Sequence, residues 1–166
     1  MLGRERCQHI LIGSVVRGVF GAGDNPAFSM QVFWQHSIRT ALIARHLARV
    51  CELRVEPEIM FTAGLLHDVG KIVLFSKNAE LANRILAAAQ SSGKPLYTIE
   101  HEMLGYTLSE VSAALLNNWG LPENLWQPIM AMYAAEPAEA EAKDARILNL
   151  AARLADCTDN QQNTMV

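Results

Sequence analysis

The segment Gly64-Leu65-Leu66-His67-Asp68-Val69-Gly70-Lys71 ends an apolar helical run on two adjacent ionisable residues. Apolar neighbours on both sides make the pair hard to read as surface polarity. A buried carboxylate is costly unless it is paired or bound to a cation. Neighbours on a helix point about 100° apart, so one face rarely uses both. A metal lying beside the helix can take an imidazole nitrogen from one and a carboxylate oxygen from the other. The plainer alternative is a polar helix end whose His and Asp bond to backbone.

Almost every other segment repeats apolar residues at intervals of three and four, the mark of amphipathic helices. Residues 4–20 form one such pattern through Cys7, Ile10, Leu11, Val15 and Val19, and Gly21 to Pro26 breaks it. Ser29 is placed to cap a long helix reaching about Cys51, with a buried stripe of Val32, His36, Ile43 and Leu47. Pro57 suits the first turn of a helix ending near His67-Asp68, and Val69 to Phe75 continues beyond Gly70. Asn78 caps the next, which stops at Ser91-Ser92-Gly93. Pro95 opens a short helix ending at Gly105, and Thr107 with Glu110 forms a capping box for the one after it. Pro122 and Pro137 open the last two, the final one ending near Asp156. No segment alternates as a strand does. The expected fold is all-α, an irregular bundle of seven to nine helices.

With 166 residues and a net charge of −3, the chain suits one domain with a real core and lacks a basic cluster for nucleic acid. Cys7, Cys51 and Cys157 are odd in number and far apart, which argues against a disulfide framework and for a reducing cytoplasm. Cys7 and Cys51 read as small apolar residues within helices. No apolar stretch is expected to reach the ~20 residues that span a bilayer, so no membrane partner is expected. Trp34, Trp119 and Trp126 read as core packing.

Five motifs recur in a fixed order between about residues 30 and 155. They are Trp34-Gln35-His36, Gly64 to Lys71, Glu100 to Gly105, Glu110 to Leu115, and Trp119-Gly120-Leu121-Pro122. Together they resemble the HDOD (HD-related output domain) branch of the HD superfamily. The resemblance implies an HD-domain-like helical domain over residues 1–157, with 158–166 as a frayed polar tail. It also implies that a helical subdomain usual at the family's N-terminus is missing. The superfamily's phosphohydrolases hold metal with a histidine, a His-Asp doublet and a distant aspartate. Carried over, the ligands are His36, His67 and Asp68, and Lys71 becomes an anion contact near the site.

The departures weaken that ligand set. Leu108 stands where similar domains often carry a histidine, Met132-Tyr133 where they carry His-His, and Leu150-Ala151-Ala152 near the distant aspartate. Asp156, one turn beyond Ala152, is the nearest stand-in. The site is therefore expected to be vestigial, with no resident cofactor and at most weak divalent metal binding. The leading expectation is a non-catalytic regulatory or signalling module of the bacterial cytoplasm. It would act through another protein or self-association, such as a homodimer, using the apolar residues of the first helix, among them Ile12 and Val16. The alternative is a metal-dependent phosphohydrolase acting on a nucleotide or cyclic dinucleotide, which would need Asp156, Glu100 or Glu102 to complete the site. A Gly-Tyr-Pro motif of cyclic dinucleotide hydrolases is absent, since Gly105-Tyr106 is followed by Thr107.

Overall fold

Eight helices joined by short turns make up the residues described by the computed structural model, 28–51, 55–134 and 142–164, with side chains described as far as Cys157. They are α1 (Met30–Val50), α2 (Pro57–Leu66), α3 (Val69–Lys77), α4 (Ala79–Ser92), α5 (Leu96–Leu104), α6 (Leu108–Asn118), α7 (Glu123–Ala131) and α8 (Ala142–Thr164). The fold is all-α. The first helix expected from sequence, with Cys7, Ile12 and Val16, lies outside the described residues, as does Pro137.

Local chemistry accounts for most boundaries. The Ser29 hydroxyl accepts the Val32 N–H at 3.3 Å and starts α1. Asn78 does the same for α4 through Leu81 N–H. Thr107 and Glu110 form the expected reciprocal capping box at α6. Gly93 and Gly105 end α4 and α5 with φ of 66° and 82°, a backbone region that L side chains rarely enter. α8 differs from expectation: it continues past Asp156 to Thr164, through the stretch expected to be a frayed tail.

The core lies between α1, α2, α3, α6, α7 and α8, around Met60, Leu66, Ile72, Leu116, Ile129 and Leu148. The buried stripe of α1 is Phe33, Ser37, Thr40, Ala41, Ala44 and Ala48, with Val32 turned to solvent. This is about one position away from the expected stripe. The reason is close packing: small residues let α2 approach, and a Cβ on Gly64 would lie 2.7 Å from Ala41 Cα. Two other expectations fail. Trp119 is 39% exposed rather than core, because it sits at the C-cap of α6, and Cys51 is exposed at the C-cap of α1.

One stretch, Pro57–Lys77, does have the length and composition of a membrane span, with a mean hydropathy of 1.4 over its most apolar window. That corrects the expectation that none would. Its interior holds His67, Asp68 and Lys71, a turn at His67-Asp68 splits it into α2 and α3, and most of it is buried in the core. It is apolar because it faces protein on several sides.

Gly64→Ala should destabilise the fold by about 1–3 kcal/mol, the usual cost of overpacking. The obstructing atoms are the backbone of Ala41 and Thr40, which cannot rotate away. Urea unfolding of the two proteins checks this, and equal midpoints would show that α1 and α2 do not need the contact.

Candidate functional site

The turn between α2 and α3 delivers His67 and Asp68 into the protein interior, 1% and 5% exposed. Gly70 makes that placement feasible. Its N–H donates to the Ser112 hydroxyl at 2.8 Å, and that hydroxyl donates to Leu108 O at 2.9 Å. A Cβ at Gly70 would collide with the Leu108 carbonyl. The start of α3 is thus bolted to α6 backbone to backbone.

His67 Nδ1 lies 2.8 Å from Gly64 O. A carbonyl can only accept, so Nδ1 carries the proton, and in the neutral ring Nε2 carries the lone pair. Burial keeps His67 neutral by lowering its pKa. Its Nε2 is 3.5 Å from Asp68 Oδ2. His36, from α1, places Nε2 3.9 Å from the same oxygen, and its Nδ1 is 3.6 Å from Asp156 Oδ1 on α8. Its pKa is also lowered, mainly by burial. The two imidazole rings are tilted by 45° with centroids 5.6 Å apart.

Lys71, one turn into α3, puts Nζ 2.5 Å from Asp68 Oδ2. Burial pushes the Asp68 carboxyl upward, but the neighbouring positive charges outweigh it and hold the group well below the usual carboxylate range. With both imidazoles neutral at pH 7, Lys71 is the lasting cause. Burial alone would lower the Lys71 pKa, yet the Asp68 charge and hydrogen bond raise it.

His36, His67 and Asp68 therefore converge as the sequence predicts, each offering a donor atom within 4.8 Å of the others. One ion at ~2.1 Å from each donor requires donor separations no greater than ~4.2 Å. At tetrahedral angles the separations would be about 3.4 Å, so the widest pair must close by roughly an ångström, within reach of small side-chain rotations. The donor chemistry, two imidazoles and a carboxylate, suits a divalent transition ion. The further positions supply no donor side chain: Leu108, Met132 and Ala152 are only 4%, 4% and 2% exposed. Asp156 reaches His36 but is largely exposed.

The same residues floor a cleft of about 410 Å³, closed by Tyr97, Glu100, Tyr133, Arg153 and Cys157. Sequence reasoning does not distinguish Glu100 from Glu102. Glu100 is 3% exposed, accepts the Leu108 N–H at 2.8 Å through Oε2, and has its pKa raised by burial. Glu102 faces outward to Lys94 at 2.6 Å. The one available signal is Ile99 beside Glu100 on a short helix, too little to mark a buried face. Tyr97 stacks on Tyr133 with centroids 4.3 Å apart, and burial drives the Tyr133 pKa well up. Neither tyrosine has a motif that announces it. His46 and His101 are exposed.

A family model for the HDOD domain matches residues 1–135. The chain belongs to the HDOD family. Its structure is similar to that of a Shewanella amazonensis SB2B protein named "Putative phosphohydrolase", with 29% identity and a TM-score of 0.78 over 96% of this chain. It is also similar to the MmoQ response regulator of Methylococcus capsulatus str. Bath, with 27% identity and a TM-score of 0.63 over 79% of this chain. An HDOD domain protein of unknown function from Geobacter sulfurreducens, 24% identical, shares the fold with a TM-score of 0.69 over 84% of this chain. The matches cover 57%, 51% and 46% of those chains respectively. An uncharacterized protein of Treponema pallidum (strain Nichols) is 27% identical over 90 residues, 54% of this chain and 18% of that protein.

Acid should destabilise this HDOD domain in two stages. Both imidazoles have folded pKa values below their unfolded ones. The unfolded state then binds more protons, so stability present above pH ~6.5 falls as pH drops through that value. Asp68 has a depressed folded pKa, so its contribution is present above ~3.9 and is lost below it. Urea midpoints measured from pH 8 to pH 3 should decline along both limbs. His67→Gln should flatten the upper limb, and an unchanged profile in that variant would refute the assignment.

Proposed function

We propose that this HDOD domain is a non-catalytic regulatory or signalling module that works through protein–protein contact. The carrying observation is where the donor set stops. His36, His67 and Asp68 meet, but Leu108, Met132 and Ala152 put buried carbon where the superfamily's further ligands are expected. Metal-assisted hydrolysis needs an ion held firmly while it polarises a phosphate and activates water. Two neutral imidazoles and one carboxylate already engaged by Lys71 hold an ion weakly. The response regulator among the similar structures fits a signalling role.

The contact surface has support on α1 and α8, which pack together. Ile38 and Leu42 on α1 and Leu150 and Leu154 on α8 are 41–47% exposed, each pair spaced four apart and so on one helical face. Exposed apolar side chains grouped on neighbouring helices mark an interaction surface.

The convergence of three donors and the phosphohydrolase name of one similar protein favour a second reading, hydrolysis of a nucleotide or cyclic dinucleotide phosphoester. Wild type and Asp68→Asn, each supplied with Mn(II), Fe(II) or Zn(II), separate the two against a panel of phosphoesters. The regulatory reading expects equal, background rates. Turnover in wild type that Asp68→Asn abolishes would establish the hydrolase instead. For the contact surface, sedimentation over a wide concentration range should show association, with another copy or with an added partner. Leu42→Glu together with Leu150→Glu should weaken it at least tenfold, and a wild type with no association of either kind would remove the surface from the proposal.

A further inference from the structure

Two lone-pair acceptors face each other in the buried cluster. His67 commits its Nδ1 proton to Gly64 O, so Nε2 turns a lone pair toward Asp68 Oδ2, 3.5 Å away. His36 Nε2 lies 3.9 Å from the same oxygen. Acceptors gathered away from water need a positive centre beside them. Lys71 provides one, with Nζ 2.5 Å from Oδ2. A turn of α3 tethers this ammonium to the carboxylate it neutralises. A divalent ion shared by the three side chains would need the same oxygen. Two cations that close repel strongly where water is scarce.

We infer that Lys71 is an intramolecular competitor of a divalent cation: its ammonium stands in for the ion on Asp68, so the site exchanges between a lysine-held and a metal-held form. The inference rests on the proposed function in one respect, the weak metal binding of wild type.

A displaced lysine has somewhere to go. Glu100 lines the same cleft, is almost fully buried, and has its carboxylate held by the Leu108 N–H at 2.8 Å. Lys71 is one-quarter exposed, and a lysine that leaves Asp68 for Glu100 keeps a carboxylate partner in place of a part-buried unpaired charge. The apparent affinity for metal is then the intrinsic affinity scaled by the fraction of molecules with Lys71 off Asp68.

Equilibrium dialysis of Mn(II) against the full chain, with free Mn(II) read by electron paramagnetic resonance, tests this directly. Lys71→Met should bind Mn(II) about tenfold tighter or more, the gain expected when the competing form is at least nine-tenths populated. Lys71→Arg, which keeps the charge, should bind no tighter than wild type. Glu100→Gln, which keeps an acceptor for Leu108 N–H, should weaken binding in wild type and have no effect in the Lys71→Met background. Adding Asp68→Asn to Lys71→Met should erase the gain. Lys71→Gln, measured in parallel with circular dichroism on every variant, keeps the comparison readable should Lys71→Met fail to fold. Unchanged or weaker binding in folded Lys71→Met or Lys71→Gln would overturn the inference, as would a gain that survives Asp68→Asn. Phosphoester turnover by wild type would defeat the regulatory reading and leave the affinity ratio standing. An unchanged ratio would defeat the competitor role and leave the regulatory reading standing.

Discussion

A carboxylate stays charged in a protein interior only with a cation close by, and Asp68 imposes that demand on the rest of this domain. It is 5% exposed and sits at the turn where α2 gives way to α3. Lys71 must lie one turn along, which requires α3 to start at once after Asp68. That start is held by Gly70 against the backbone of α6, with Ser112 linking the two. Gly64 brings α2 onto the small face of α1 and so sets His36 above the doublet. Asp156 completes the ring from α8. Three helices thus meet around one charged oxygen, through His36, His67 and Lys71, with α6 and α8 bracing them from behind.

Capping chemistry makes the helix ends legible in the amino-acid sequence. Ser29, Asn78, Thr107 with Glu110, Gly93 and Gly105 act where their residue types say they should, because each uses a hydrogen bond or a φ preference that is local in sequence. The meeting of His36 with His67 and Asp68 is legible only by resemblance, since no local rule brings residue 36 to residue 67. What stays hidden depends on packing. Val32 belongs to an apolar periodicity as good as that of Phe33, and only the approach of α2 decides which of them is covered. Glu100 and Glu102 are chemically the same residue on the same helix; the orphan N–H of Leu108 at the start of α6 selects Glu100. α8 outruns its expected end because a polar composition past Asp156 does not stop a helix unless a breaker is present.

The Lys71–Asp68 pair is sensitive to the loss of either member. Removing one partner of a buried pair leaves the other charge uncompensated, which costs more than the pair contributes. Asp68 therefore needs a cation at all times, whether Lys71 or an ion that replaces it. The His67 ring is held in place through Nδ1 by Gly64 O whether or not an ion is bound. Leu108, Met132 and Ala152 have no such constraint: each packs in the core as carbon. A domain with carbon in place of donors at these three positions can keep the His-Asp doublet as a structural element.

Two of the helices that supply side chains to the cluster, α1 and α8, also carry exposed apolar residues. On α1, His36 faces inward while Ile38 and Leu42 face out; on α8, Asp156 approaches His36 while Leu150 and Leu154 face out. Side chains one or two turns apart on a helix move together, because the backbone between them is stiff on the scale of a turn. The separation between α1 and α8 is set inside by the small buried residues Ala151, Ala152 and Ala155, with the His36–Asp156 contact at the edge. A change in the charge beside His36 alters that contact directly. Under the proposed regulatory function, these shared helices are the route by which a change at the buried oxygen would reach the outer apolar residues.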